Sequence, residues 1–225
     1  MKIWENLVED TEKIVPSDVQ CEIKMINSTE SLTRFANSHI HQNVEEEITD
    51  VYLTFHSGGK TTNLNLNITS LRSIDEVVKK ALSELANNPK DSNWPGLASK
   101  EKSFDGYKSI SPENPDLRAQ KVKDFIDQGK SFNGAGYCSS NVSNVFVWNT
   151  DGLNSSDTAT SAFLDGIFRS ETSSGSSHIG HKILENIDGK KVGQEAYSIA
   201  KESQNPQDID PGTVSYTHLT LPTIM

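Results

Sequence analysis

Two hydrophobic periods alternate along the chain. Trp4, Leu7, Val8, Thr11 and Ile14 recur at helical spacing, so residues 3–14 read as a helix that Pro16 closes. From Val19 to Ile68 the period falls to two. Cys21, Ile23 and Met25 alternate with Glu22 and Lys24; Val51, Leu53 and Phe55 with Tyr52 and Thr54; Leu64, Leu66 and Ile68 with three asparagines. Ser57-Gly58-Gly59-Lys60 supplies a turn between the last two runs. The segment Thr33–Gln42 reads as a further strand, which gives an antiparallel meander of about four strands with one apolar face. The period then returns to 3.6. Ser73 with Glu76 forms a capping box, and Ile74, Val77, Val78, Ala81, Leu82 and Leu85 make one stripe that predicts a helix covering the meander.

Residues 88–113 are punctuated by Asn88-Pro89, Trp94-Pro95-Gly96 and Ser111-Pro112 and read as a boundary or long crossover. Asn114-Pro115 opens another helix, with Val122, Phe125 and Ile126 on its core side and Gly129 as its C-cap. Residues 131–150 carry no charged side chain before the turn at Asp151-Gly152, and predict a hairpin of central strands. Residues 155–177 are strand-like, and residues 189–203 form a last helix with Val192, Ala196, Ile199 and Ala200 on one side. The fold class expected is α+β: an antiparallel β-meander covered by helices, then a second segment of helix plus antiparallel sheet. The boundaries are an N-terminal meander region over 1–110, a second helix and β-hairpin region over 111–213, and a tail over 214–225.

Composition narrows the function classes. With 21 Lys and Arg against 31 Asp and Glu, the net charge of −10 opposes nucleic-acid binding by a broad basic face. Counting glycine in and tyrosine out, the apolar share is about 38% against a usual value of roughly 45–50%. The shortfall implies much exposed surface, or a core completed from outside the chain. No run of about 18 apolar residues predicts a membrane span, and Met1–Asn6 opens no secretory signal. With Cys21 and Cys138 as the two cysteines, a reducing cytoplasm is the expected setting.

The candidate chemical groups are few. His39 and His41 would share one face of a strand at a spacing that can grip a metal, but no third ligand lies nearby, and two polar residues on a solvent face serve equally. His178 and His181 stand three apart, flanked by Gly175 and Gly180 that favour a loop; metalloprotease helices place two His four apart around a Glu. Gly134-Ala135-Gly136 has two glycines of a dinucleotide fingerprint without the third, and suits a bulge or tight hairpin better. Cys138 has no neighbouring cation to activate a thiolate. These residues predict no catalytic, cofactor-binding or metal site.

Several phrases, in order, resemble one family. Leu32–Asn43 resembles an early "R-F-A-N-n-x-I-x-Q-N" strand; Val51–Lys60 a "v-x-l-x-x-x-x-G-G-K/R" hairpin; Val77–Ala86 a "V-x-x-A-x-x-x-A" helix. Pro112–Val122, Val147–Gly152, Ser174-Gly175 and Ala196–Thr213 continue the series. Together they resemble the N-terminal half of the TldD/PmbA family, once described as modulators of DNA gyrase. The resemblance implies a cytosolic protein of about twice this length. It also implies a metallopeptidase function on small or unfolded peptides, in a homo- or heterodimer of related subunits, one metal-bearing and one not. The family's zinc site, a HExxxH helix with a later Cys, lies in the second half, and no residue here matches it. The chain is therefore expected to be the N-terminal part of a peptidase subunit, inactive alone, shaping a cavity and a partner interface and admitting extended peptide. The alternative is a non-catalytic binding or assembly subunit. After Thr213, residues 214–225 resemble a translated sequencing adapter rather than a native strand, so His218 is recruited into no site.

Overall fold

A computed structural model describes residues 2–67, 74–100, 105–106, 108, 114–208, 210, 212–213 and 215. The element order is α1 (Lys2–Ile14), β1 (Gln20–Ala36), β2 (His39–Ser57), β3 (Lys60–Asn67), α2 (Ile74–Leu85), β4 (Asp105–Gly106), α3 (Pro115–Ile126), β5 (Asn133–Asn149), β6 (Asn154–Arg169), β7 (Ser174–His181) and α4 (Gly189–Glu202). The seven strands form one sheet in the order β3-β2-β1-β5-β6-β4, with β7 also on β6. Every pairing is antiparallel except the short β4–β6 bridge. The fold is α+β, as expected from the pattern.

The strands are longer than the sequence reading divided them. Thr33–Gln42 is a hairpin, not a strand: Asn37 and Ser38 adopt positive φ (50° and 59°) and turn β1 into β2. The meander therefore has three strands. Residues 131–150 form the single strand β5 rather than a hairpin, because Gly134 and Gly136 lie within the ladder and make no turn. His178 and His181 lie in β7 instead of a loop; Gly175 and Gly180 are there because neighbours press on them. Helix α3 ends at Ile126, and Asp127, not Gly129, caps it. Its start is as the sequence predicts, with the Asn114 side chain accepting from the Asp116 amide at 2.9 Å. Ser73 and most of the tail lie outside the described residues.

All four helices lie on one face of the sheet. Odd-numbered residues of β1 point toward them, and two apolar clusters form there. The first joins Cys21, Ile23, Met25, Val51, Leu53 and Phe55 to Trp4 and Leu7 of α1, to Val78, Ala81 and Leu85 of α2, and to Phe146 and Trp148 of β5. The meander is thus sealed by two helices, α1 joining α2. The second joins Phe35, Cys138, Leu164 and Phe168 to Val122 and Phe125 of α3 and to Val192, Ala196 and Ala200 of α4. Between the clusters the same face is polar: Asn27 donates to Thr49 at 2.9 Å and to Glu47 at 3.0 Å, and Thr158 donates to Asn144 at 3.0 Å.

The second cluster is built on backbone without side chains. Gly136 of β5 pairs with both Phe35 and Gly166, and its φ of +154° together with the nearby Asp165 carbonyl leaves no room for a Cβ. The Phe125 ring lies on Gly166 and stacks on Phe168 at 4.6 Å between centroids. Gly166→Val is expected to lower stability by about 2 kcal/mol or more, since the ring would have to leave its rotamer. Urea unfolding of the two proteins measures it, and unchanged stability would contradict this packing.

Candidate functional site

The helix-free face is composed by the even residues of β1, and cross-strand register arranges it in three rows. The middle row runs Val44, Leu32, Ser139, Phe163 across β2, β1, β5 and β6. On one side lie Glu46, Glu30, Asn141 and Ser161; on the other lie Gln42, Arg34, Tyr137 and Asp165, followed by His178 on β7. Val44 is 40% exposed and Phe163 50%, values that mark an uncovered apolar strip among the described residues. A groove of about 470 Å³ lies over this strip. Arg34 donates to Gln42 at 3.5 Å, and among the described residues no ion pair within the chain engages Arg34, Glu30 or Glu46.

The reverse side of the same strands is fixed by a polar network. Arg118 of α3 is 1% exposed; its guanidinium donates to Ser140 Oγ at 3.2 Å and to Asn43 Oδ1 at 3.4 Å. Thr33 donates to Asn43 at 2.9 Å, and Ser31 donates to Glu45 at 3.1 Å. Ser31, Thr33 and Ser140 are immediate chain neighbours of the groove residues, so the groove floor cannot shift without disturbing a buried cation. The groove's Ser139 and Ser161 hydroxyls have no imidazole among its lining residues to act as base. Its chemistry is that of recognition: an apolar centre between carboxylates and a guanidinium.

The histidines and cysteines of interest are dispersed. His39 Nδ1 contacts the Asn37 carbonyl at 2.7 Å, and the β2 bulge opposite Arg34 and Phe35 falls at His41, interrupting the alternation that would give the pair one face. His178 and His181 alternate to opposite faces of β7, facing Asp165 and Ala162 across the ladder. His218 lies outside the described residues. Cys21 and Cys138 are both buried, one in each cluster, and are not joined to each other. Among the described residues no group of three His, Cys, Asp or Glu could hold a metal ion. Among the described residues the zinc that the resemblance implies for a complete protein therefore finds no fitting donor set. Arg118, Glu30, Leu32, Arg34, Val44 and Phe163 are the site residues that sequence reasoning missed. The signal was present: extending the odd-inward parity of Cys21, Ile23 and Met25 along β1 places Phe35 inside and Leu32 outside.

Three solved structures share this architecture. TldE from Thermococcus kodakarensis superposes with a TM-score of 0.69 at 16% identity, over 88% of this chain and 47% of that one. A candidate modulator of a DNA gyrase from Thermotoga maritima gives 0.67 at 19% identity, over 94% and 50%. A candidate modulator of DNA gyrase from Bacteroides thetaiotaomicron gives 0.72 at 12% identity, over 92% and 51%. The chain has the fold of about half of TldE. It spans about half the length of each of these structures. No family model and no curated protein matches the sequence. Among the described residues no helix is long and apolar enough to cross a membrane.

Two measurements probe the interior on the covered side of the sheet, one beneath the groove and one in the first cluster. Arg118→Met is expected to destabilise the protein by about 1–3 kcal/mol, because Asn43 and Ser140 lose a charged donor in a buried setting; denaturant unfolding measures the loss. Cys21 gives a pH dependence. Burial, with a smaller contribution from the Glu22 charge, pushes its thiol up to about 12 from 9.0. The folded state therefore keeps the thiol neutral while the unfolded chain ionises it. Its contribution to stability is complete below pH 9 and is lost between 9 and 12, at up to about 1.4 kcal/mol per pH unit. Cys21→Ala removes that part of the slope, and unfolding free energies of both proteins from pH 8 to 11 read the difference.

Proposed function

We propose that this chain is the N-terminal part of a cytoplasmic peptidase subunit of the TldD/PmbA kind, acting on small or unfolded peptides beside a related subunit. The fold likeness carries the reading: it extends over 88–94% of this chain yet only about half of each neighbour. Metal-assisted hydrolysis needs a polarised carbonyl, an activated water and a base within mutual reach. In this reading that set belongs to the half of the protein outside this chain. The residues described here supply a rigid sheet, a covered helical layer and an open recognition face. Ordered phrases from Leu32–Asn43 to Ala196–Thr213 support the same assignment.

Reading the gene beyond codon 213 tests it. A helical HExxxH with a later Cys is expected there, while the 225-residue chain with added zinc should cleave no peptide. An intact second half lacking that motif would select a non-catalytic assembly subunit instead. Metal-dependent cleavage by this chain alone would overturn the division of labour.

A further inference from the structure

A strap of irregular chain crosses the end of the sheet farthest from the β1–β2 hairpin. Residues 88–99 form no helix or strand, and an isolated bridge joins Lys90 to Lys60. The strap is held at three points. At the first, Asn88 Nδ2 donates to the Thr61 carbonyl and to Thr62 Oγ1, both at 2.8 Å, and the Asp91 amide donates to the Gly59 carbonyl at 2.6 Å. At the second, the Trp94 ring lies flat on His56 of β2, with centroids 4.6 Å apart and planes 8° from parallel. Its Nε1–H donates to Gln20 Oε1 at 3.1 Å. At the third, Asn149 Nδ2 donates to the Ala98 carbonyl at 2.9 Å. Trp94 and Leu97 are half-buried and Pro95, Gly96 and Ala98 exposed, so few apolar contacts hold the strap and it opens at lower cost than the sheet unfolds.

His56 is the junction between strap and sheet. Its Nδ1 lies 2.9 Å from Thr61 Oγ1, and Thr61 Oγ1 donates to Asp91 Oδ2 at 3.3 Å. The Thr61 hydroxyl has one proton to give. A neutral imidazole with its proton on Nε2 would take that proton and break the link to Asp91. An imidazolium cannot accept, so it donates from Nδ1 and directs the Thr61 proton to the Asp91 carboxylate. The same charge lies over the Trp94 face, within the roughly 6 Å at which a cation is attracted to an indole. The other charged groups around His56 are mixed. Glu22 shares its face one row along β1, Asp18 precedes that strand, and Asp151 accepts from Gln20 at 3.4 Å. Opposing them are Lys90 beside Gly59, and Lys60, whose Nζ is drawn away to the Ala86 carbonyl at 2.5 Å. We propose that residues 88–100 form an acid-tightened strap, clasped when protonated His56 is held between the Trp94 ring and the Thr61–Asp91 relay and loosened when that proton leaves. The closed strap favours the protonated form, so by linkage its hold is strongest at low pH and declines as pH rises. Loosening uncovers the Gln20–His56–Thr61 row of the open face. The strap does not rest on the peptidase reading, and either can fail without the other.

Native-state hydrogen exchange of the full chain, followed by NMR at the Asp91 amide, tests the strap. Protection factors, corrected for the intrinsic effect of pH on exchange, are compared at about pH 5.5 and about pH 8, which span the range over which histidine changes charge. The wild-type value is expected to be about threefold higher at the lower pH, while the β1–β5 amides, which open only with the sheet, do not follow it. His56→Phe keeps a ring on Trp94 but carries no proton, and its protection should be the same at both pH values. Thr61→Val keeps the imidazole and cuts the relay, so its ratio should fall below that of the wild type. Circular dichroism checks the fold of each variant, and the wild-type ratio decides the sign without either. Equal wild-type protection at the two pH values, stronger protection at pH 8, or an undiminished ratio in either folded variant would overturn the proposal.

Discussion

Everything in this fold hangs on the unbroken register of β1. It pairs with β5 from Glu22 to Phe35 without a shift, so the side-chain parity set by Cys21 and Ile23 still holds at Phe35. A single slip would have turned the far half of the strand over and sent its helices to the other face. Because no slip occurs, α1 and α2 at one end and α3 and α4 at the other cover the same side. The β1–β2 ladder does shift, between Arg34 and Phe35, but only at the hairpin end, where few residues follow.

That constraint explains the low apolar content. A sheet whose helices lie on one face needs apolar residues at alternate positions only. Here even the covered face is apolar only in its two end regions. Asn27, Ser31, Thr33, Asn43 and Ser140 form a polar saddle between them, satisfied by side-chain hydrogen bonds and by Arg118. Burying such groups without partners is costly, which is why these side chains pair with one another.

The helices and the meander were legible because their periods are local. The stripe from Ile74 to Leu85 and the alternation around Ile23 and Leu53 state their partners directly. What escaped was length. Seventeen to nineteen residues is far beyond the usual strand of about five or six, so β1, β2 and β5 were cut at polar or glycine-rich stretches that look like turns, while the strand-like run over 155–177 is divided between β6 and β7. The glycines misled for a physical reason: Gly136 and Gly166 are opposed across the ladder to admit Phe35 and Phe125, a long-range cause that leaves no trace in neighbouring sequence. The open-face groove was missed for a related reason, since its residues come from four strands and meet only through register. Arg118 reads as one more charged position on an amphipathic helix until Asn43 and Ser140 are brought to it.

The two faces of the central strands are coupled through one backbone. Ser140 takes the Arg118 hydrogen bond on the covered side, while Ser139 and Asn141 beside it line the groove on the open side. Ser31 holds Glu45 on one face, and Glu30 and Leu32 project from the other. A recognition surface built this way is preorganised: its residues stand on paired strands whose reverse side is anchored by a buried guanidinium, so little conformational freedom remains to be lost on binding. The histidines and cysteines, by contrast, are scattered over both faces and both clusters.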